Sequence, residues 1–368
     1  MKVPAIRIHE VDGIRGWAAL VVLLYHTFGE MLKFAVPNVK SFWVAPFLAS
    51  HIAVLVFFVL SGDALSNGFF SGGGFKSVDR LLVRRYFRLT VPIFLSCLIT
   101  YLIMVLGFDF HSQASSVLNI SGWLSKFLQF HASLYSFLRY AFVDVYVSHT
   151  PETAYNPFLW TMSVEMIGSM LVFLLCYIWG RLKNAGLVCV ALILFSTCIG
   201  TYFSLFFAGV FLGYLRKLGY LKVLRDKKNY QLACSAVLLA LFVYLMWSTS
   251  GQVNMNFMPI KIVVAMILVF CFYTHDGSKT FFNNRVSQFL GEISFPVYLL
   301  HFQVLISLMS WLVIQDFARS QGLNQSHLLI IGWVSVIVTL LAATCFRIVE
   351  KLVLKKIDFY VLRILSDG

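Results

Sequence analysis

Residues 12–28 read DGIRGWAALVVLLYHTF, an apolar run with a charged pair at its start and a histidine near its end. Such a run predicts a membrane helix, because only helices and closed barrels satisfy their backbone polar groups inside a bilayer. Lys2 and Arg7 precede the run and no small-residue cleavage site follows it. We therefore expect it to remain in the protein as the first membrane helix rather than to be removed as a signal peptide.

The composition of the whole chain has the same character as this run. Of its 368 residues, 60% are hydrophobic and only 12% are charged, and its mean hydropathy is +0.82. An ordinary soluble domain is about 25% charged, so this chain has too little polar surface to cover a soluble globule. The composition excludes a soluble enzyme and predicts an all-α, polytopic membrane helical bundle.

A window of about 20 residues locates the membrane helices. Ten are predicted, within a single membrane domain over residues 1–368, at about residues 13–31, 49–66, 89–107, 157–179, 186–200, 202–215, 230–248, 258–274, 291–314 and 327–349. Residues 108–156 are predicted to form an outer segment that is interfacial or re-entrant, because a structureless loop of that length is unusual.

The basic residues orient this bundle. Lysine and arginine collect in cytoplasmic loops, and ten spans with both the N- and C-termini cytoplasmic place most of the 29 basic residues inside. This topology accounts for the net charge of +13, so we expect no nucleic-acid partner. We expect a multi-pass protein of the plasma membrane, the inner membrane if the source is bacterial, in contact with membrane lipids.

Arg15 and His26 are the first candidates for chemistry, since ionisable residues within membrane helices are costly and point to function. Eleven residues separate them, which on an ideal helix puts both on one face, roughly 16 Å apart along the axis. A histidine on such a face can also be an ordinary packing residue. The pairing with Arg15 favours a functional interpretation.

A second group of candidates is basic and lies at the entrance of the third helix. Arg84 and Arg85 precede Arg88 by four and three residues, so their guanidinium groups can converge with that of Arg88 on one polyanion such as a phosphate ester. Inner-face topology and contact with lipid headgroups explain the charge equally well. They do not explain why the arginines cluster at one helix entrance.

Three further polar groups lie in or near the helices. Glu165 in the fourth helix is at the depth expected for His26, and a histidine–carboxylate interaction is one way to satisfy it. Asp63 ends an apolar run in the second helix. A late group on the tenth helix, Arg347, Glu350 and Lys351, is most simply interpreted as an ion cluster at the end of a helix.

Taken in order, these motifs resemble the acyltransferase 3 family of integral membrane O-acyltransferases. They are DGIRG with His26, FFVLSG at 57–62, the arginines up to Arg88 with Pro92, WTMSVE at 160–165, SFPVYL at 294–299 with His301, and Glu350-Lys351. Asp63 departs from the aromatic or apolar residue usual after Ser-Gly in the family. After Glu165 the usual aromatic run is replaced by Met-Ile-Gly-Ser.

The resemblance implies a membrane acyltransferase that takes an acyl group, usually acetyl, from cytoplasmic acyl-CoA and places it on a hydroxyl of a cell-surface or lipid-linked glycan. It implies catalytic roles for Arg15, His26 and Glu165, with His26 as general base. Arg84, Arg85 and Arg88 are then expected to bind the CoA phosphates, and Arg15 is expected to lie deeper along the path of the donor. The scattered histidines and cysteines form no metal-binding pattern, so we expect no metal.

Three alternatives stay open from the sequence. The acceptor could be a small molecule, or the protein could be a proton-coupled transporter that uses the same intramembrane ionisable residues. Within the enzyme, an acyl-histidine intermediate is an alternative to direct transfer. The sequence predicts no particular oligomeric state.

Overall fold

The structure, a computed structural model, describes residues 8–36, 41, 43–120, 122–250 and 257–366, the last ten of these as backbone only. This part of the chain consists of helices and loops and contains no strand. The helices of the first half are α1 (His9–Leu24), α2 (Ser50–Gly68), α3 (Gly74–Val105), α4 (His111–Val117), α5 (Leu134–Arg139) and α6 (Val145–Val147). Those of the second half are α7 (Thr161–Trp179), α8 (Ala185–Cys198), α9 (Phe203–Lys217), α10 (Tyr220–Arg225), α11 (Lys228–Thr249), α12 (Met258–Thr274), α13 (Asp276–Phe282), α14 (Arg285–Val304), α15 (Ser310–Ser320) and α16 (Gln325–Ser366).

Five helical stretches in the described residues are long and apolar enough to cross a membrane, or six if α12 and α13, bent by 88°, form one span. The five are Ser50–Val105, Pro157–Trp179, Lys228–Thr249, Arg285–Ser320 and Gln325–Lys356. The chain is an all-helical, multi-pass membrane protein.

The predicted number of ten spans is a separate question, because a helix can be too short to cross the membrane. Each of the ten predicted segments contains a helix. However, α8 and α9 have only 14 and 15 residues, fewer than the ~20 that cross a bilayer. The number of ten spans and the cytoplasmic position of the termini therefore stay predictions. Residues 1–7 and 367–368 lie outside the described part of the chain.

The basic stretch before the predicted third helix is itself helical. α3 begins at Gly74, so Lys76–Arg88 form its first turns rather than a loop. Gly72 and Gly74 have φ angles of +97° and +53°, a region that glycine adopts without strain. These two residues allow the chain to leave α2 and start α3 directly, and they fix the basic stretch on a rigid element.

Residues 108–120 and 122–156 pack onto the bundle as short helices and turns. Phe137 and Tyr155 of this segment are buried in the same apolar cluster as α1, α3 and α14. His149 bridges two parts of the chain: the Tyr140 hydroxyl lies 3.0 Å from Nδ1, and the Pro157 carbonyl accepts from Nε2 at 3.1 Å. Burial lowers the pKa of His149, which keeps its imidazole neutral. Whether the segment lies at the outer surface of the membrane stays a prediction.

α1 and α14 approach each other closely through glycine. A Cβ added to Gly16 would lie 2.4 Å from the backbone nitrogen of Gly291, and one added to Gly291 would lie 2.3 Å from the carbonyl oxygen of Asp12. No side chain fits at either position. Small residues allow this kind of close helix packing in membranes, and here it aligns Arg15 and His26 with the polar residues of α14.

A second close crossing joins α2 to α9. A Cβ on Gly62 would lie 2.1 Å from the carbonyl oxygen of Phe206, and one on Gly209 would lie 2.1 Å from that of Val59. The two helices therefore contact through their backbones at the point where the apolar run of α2 ends. This crossing brings α9 against the carboxylate that follows Gly62.

Asp63 is held by an ion pair at this crossing. Its side chain is fully buried, and Arg216 of α9 donates to both carboxylate oxygens at 2.7 and 2.8 Å. The Tyr273 hydroxyl of α12 donates a third hydrogen bond at 2.7 Å, and the guanidinium lies 5.1 Å from the centre of the Tyr273 ring. Asp63 therefore joins three helices, which gives its departure from the family pattern a structural explanation.

We expect Asp63→Asn to destabilise the fold strongly, because Arg216 would keep a partly buried charge without its partner. Breaking one side of a buried ion pair costs about 3–5 kcal/mol in free energy of unfolding. Asp144→Asn is the control: Asp144 pairs with Arg139, whose side chain is 57% exposed, and an exposed pair contributes about 0–1 kcal/mol. Thermal unfolding in nanodiscs measures both variants. Equal melting temperatures would contradict this role for Asp63.

Candidate active site

A cavity of about 560 Å³ lies between α1, α2, α3, α7, α14 and α16. It gathers residues far apart in sequence, and its polar and charged lining residues are Asp12, Arg15, Ser61, Arg85, Arg88, Thr161, Glu165, Glu292, Ser294, Tyr298, Arg347 and Glu350. Its apolar walls come largely from phenylalanine, leucine and proline side chains of the same helices. Such a concave site with a few converging charges is the usual form of a small-molecule site.

Four arginines face this cavity from three helices. Arg15 comes from α1, Arg85 and Arg88 from α3, and Arg347 from α16. Four carboxylates line the same space, from Asp12, Glu165, Glu292 and Glu350. The arginines are thus partly neutralised by acids of the site itself, and an anionic ligand would compete with those acids.

Arg85 is the most constrained of the four arginines. Its Nη2 donates to the Glu165 carboxylate, and its Nε donates to the Ser169 hydroxyl at 2.8 Å. Both partners lie on α7, one turn apart. Glu165 therefore balances the charge of an arginine on α3.

The other predicted arginines differ in position. Arg15 donates one hydrogen bond, 3.3 Å long, to the carbonyl oxygen of Leu60 on α2. Arg88 lines the cavity and is largely exposed. Arg84 is not among the lining residues, since it leaves α3 in another direction. Of the predicted donor-binding set, three members share one cavity and Arg84 stands apart from it.

His26 lies outside this cavity and is paired with His301. Its Nδ1 is 3.0 Å from His301 Nε2, and the two rings are nearly parallel with centres 5.0 Å apart. Phe158 stacks on both rings, at 4.0 Å from His26 and 4.8 Å from His301. His26 is positioned by a π-helical turn, Tyr25–Met31, that continues α1.

The hydrogen bonds of this pair select one tautomer. His301 Nδ1 is 3.1 Å from the carbonyl oxygen of Val297, and since a carbonyl only accepts, Nδ1 carries the proton. In neutral His301 the Nε2 atom is then an acceptor, and the Nδ1–H group of His26 donates a hydrogen bond to it. His26 Nε2 is left with its lone pair available, which is the state a general base requires.

A wall of two side chains separates the cavity from the histidine pair. Tyr298 lines the cavity, and its hydroxyl donates to the Phe158 carbonyl and lies 2.7 Å from the Thr161 hydroxyl. Phe158 in turn stacks on His26. A group entering from the arginine side meets Tyr298 and Phe158 before it reaches the imidazole.

Two features of this site were not found from the sequence. The considered contact between His26 and Glu165 is not made: the carboxylate binds Arg85 and the imidazole binds His301. Ser294, Tyr298 and His301 are four and three residues apart, which puts them on one face of a helix, but the partner of His301 is 275 residues away. That pairing follows only from the α1–α14 crossing.

Among the described residues, no group of three or more His, Cys, Asp and Glu side chains could hold a metal ion. The candidate site therefore consists of arginines, carboxylates and a histidine pair, together with the hydroxyls of Thr161 and Tyr298. These groups can bind an anionic ligand and accept a proton from a hydroxyl.

Comparison with known proteins gives the relationship. A family model described as an acyltransferase domain matches residues 8–346, which include α1 to α15 and the first half of α16. No curated protein and no solved structure matches the chain. Because this family model matches nearly the whole chain, the protein belongs to the acyltransferase 3 family of membrane acyltransferases.

Proposed function

We propose that this protein is an acyl-CoA-dependent O-acyltransferase that moves an acyl group, acetyl in the first instance, onto a hydroxyl of a cell-surface or lipid-linked glycan. The observation that carries the proposal is the His26–His301 pair, whose tautomer leaves a basic nitrogen on His26. Two side chains, those of Tyr298 and Phe158, separate this pair from the arginine-lined cavity. Family membership supports the acyltransferase activity. The acyl donor, the acceptor and the base are proposals.

The cavity is suited to the charged end of the donor. CoA carries a diphosphate and a 3′-phosphate, and guanidinium groups bind phosphate oxygens through paired, charge-assisted hydrogen bonds. Arg15 and Arg88 are our candidates for direct phosphate contacts. Arg85, held by Glu165 and Ser169, supplies a fixed positive charge nearby. The apolar walls are suited to the uncharged pantetheine arm.

His26 is suited to activating the acceptor. In the proposed reaction the acceptor oxygen attacks the thioester carbonyl while His26 Nε2 takes the hydroxyl proton. A carbon–oxygen ester bond forms, the carbon–sulfur bond breaks, and CoA leaves as a thiolate that takes the proton from the imidazolium. Proton transfer by a positioned side chain contributes typically 10²- to 10⁴-fold to the rate.

His301 acts on this step through His26. Its Nε2 fixes the orientation and tautomer of the His26 ring, and it can share the positive charge that forms when His26 takes a proton. Before transfer, Tyr298 and Phe158 have to move apart, since they separate the cavity from His26. A site that is closed at rest also keeps water from the thioester.

The proposal is tested by release of CoA from radiolabelled acetyl-CoA, with purified protein in nanodiscs and water or added glycan as acceptor. His26→Ala is expected to lower kcat by about 10²- to 10⁴-fold, with little change in donor binding. His327→Gln is the matched control, since His327 is half exposed and pairs with Asp316 at 2.8 Å. A His26→Ala variant as active as the control would contradict the proposed base.

The role of His301 has its own test. His301→Ala is expected to lower kcat less than His26→Ala and to change the pH profile of kcat, because His26 loses the group that selects its tautomer. KM for acetyl-CoA should stay near that of wild type. If kcat and the pH profile are both unchanged, His301 is a packing residue only.

Arg88→Gln is expected to act on donor binding instead. Loss of one charge-assisted phosphate contact costs about 1.5–3 kcal/mol, which is a rise in Kd for acetyl-CoA of about tenfold or more. Isothermal titration with and without added salt measures it, since screening weakens such contacts. Arg181→Gln, an exposed arginine that is not among the cavity-lining residues, is the control. No binding by well-folded wild type would favour the transporter.

A further inference from the structure

Part of the cavity lining comes from α16 and lies outside the basic motif on α3. α16 packs against α3 and α14 and contributes Arg347 and Glu350 to the lining. The family model ends at residue 346, so the match assigns nothing to these two residues. α16 continues to Ser366, so these charges lie within the helix and not at its end, where the sequence had predicted them. Both side chains face the cavity of the proposed donor site.

Arg347 has hydrogen-bonding capacity left over. Its Nη1 donates to Glu350 Oε2 at 3.1 Å, while its Nε is buried and has no hydrogen-bond partner. A buried N–H without a partner is uncommon in folded proteins and calls for an explanation. Because Nε is enclosed by protein atoms, a ligand in the cavity would bind the guanidinium through its Nη groups and would reach Nε only after the side chain moved.

The contrast with Arg85 is informative. Arg85 uses Nη2 for Glu165 and Nε for Ser169, so the edge of its guanidinium is committed to α7. Arg347 lines the cavity and is anchored by Glu350 alone. Since a guanidinium presents its donors in a fixed fork, an anchor on Nη1 orients the remaining donors.

We propose that Arg347 binds a phosphoryl group of the donor, with Glu350 as its positioning residue. This inference rests on the proposed function. The ligand chemistry is a phosphate ester of CoA, either the 3′-phosphate or the diphosphate. Arg347 would then contact the donor from α16, in addition to the arginines that α3 supplies.

The experiment measures binding of CoA and of 3′-dephospho-CoA to the full chain in nanodiscs. Arg347→Gln alone would leave Glu350, which is only 5% exposed, as a buried charge without its partner. The informative variant is therefore the double substitution R347Q/E350Q, which removes both charges. Glu350→Gln alone keeps the guanidinium, and Arg181→Gln is the exposed control.

The double variant is expected to raise Kd for CoA by about tenfold or more. Glu350→Gln, whose amide oxygen can still accept from Arg347, is expected to raise Kd by less, and Arg181→Gln is expected to bind CoA as wild type does. If the ligand is the 3′-phosphate, dephospho-CoA binds wild type and the double variant equally. If it is the diphosphate, the double variant loses affinity for both ligands.

Two results would overturn the assignment. One is a folded double variant that binds CoA as wild type does. The other is an equal loss of affinity in Glu350→Gln, which would assign the effect to the ion pair rather than to the guanidinium. If the double variant does not fold, Arg347→Lys replaces it, because lysine keeps the positive charge and lacks the forked donors of the guanidinium. An Arg347→Lys variant that binds CoA with wild-type affinity would also overturn the proposal. Failure of wild type to bind CoA would instead contradict the proposed function.

Discussion

The contact between α1 and α14 is the constraint on which the proposed site depends. Gly16 of α1 and Gly291 of α14 lie so close to the facing backbone that a Cβ on either would be 2.4 or 2.3 Å from its atoms. This approach fixes Arg15 beside one end of the cavity and His26 against His301. A bulkier residue at either glycine would separate the two helices and the two halves of the site together.

Charge balance is the second feature that the helices share. In a medium of low polarity an arginine needs an acid or a hydrogen-bond acceptor nearby, and the structure supplies both. The ion pair between Asp63 and Arg216 joins helices and has a structural role. The ion pair between Glu165 and Arg85 joins helices at the cavity. The same type of ion pair thus stabilises the packing of the helices. Where it faces a cavity, it also leaves arginine N–H groups that an anionic ligand can bind.

Much of this arrangement follows from local sequence and some of it does not. The apolar runs predicted the helices, and spacing along single helices pointed to Arg15, His26, Arg85 and Arg88. Partners across helices were beyond such reasoning. Asp63 binds Arg216 and Tyr273, which follow it in the sequence by 153 and 210 positions. Glu165 binds Arg85 rather than His26, because the helix crossings, and not depth in the membrane, decide which side chains meet.

The central claim is that His26 presents an unprotonated Nε2 because its Nδ1 keeps the ring proton and donates it in a hydrogen bond to His301 Nε2. Nitrogen-15 NMR of histidine-labelled protein in nanodiscs tests this directly, with His26 assigned by comparison with a His26→Gln sample. The account predicts that, near neutral pH, His26 carries its proton on Nδ1 and that this preference is lost in His301→Ala. A wild-type spectrum in which His26 carries its proton on Nε2 would contradict it.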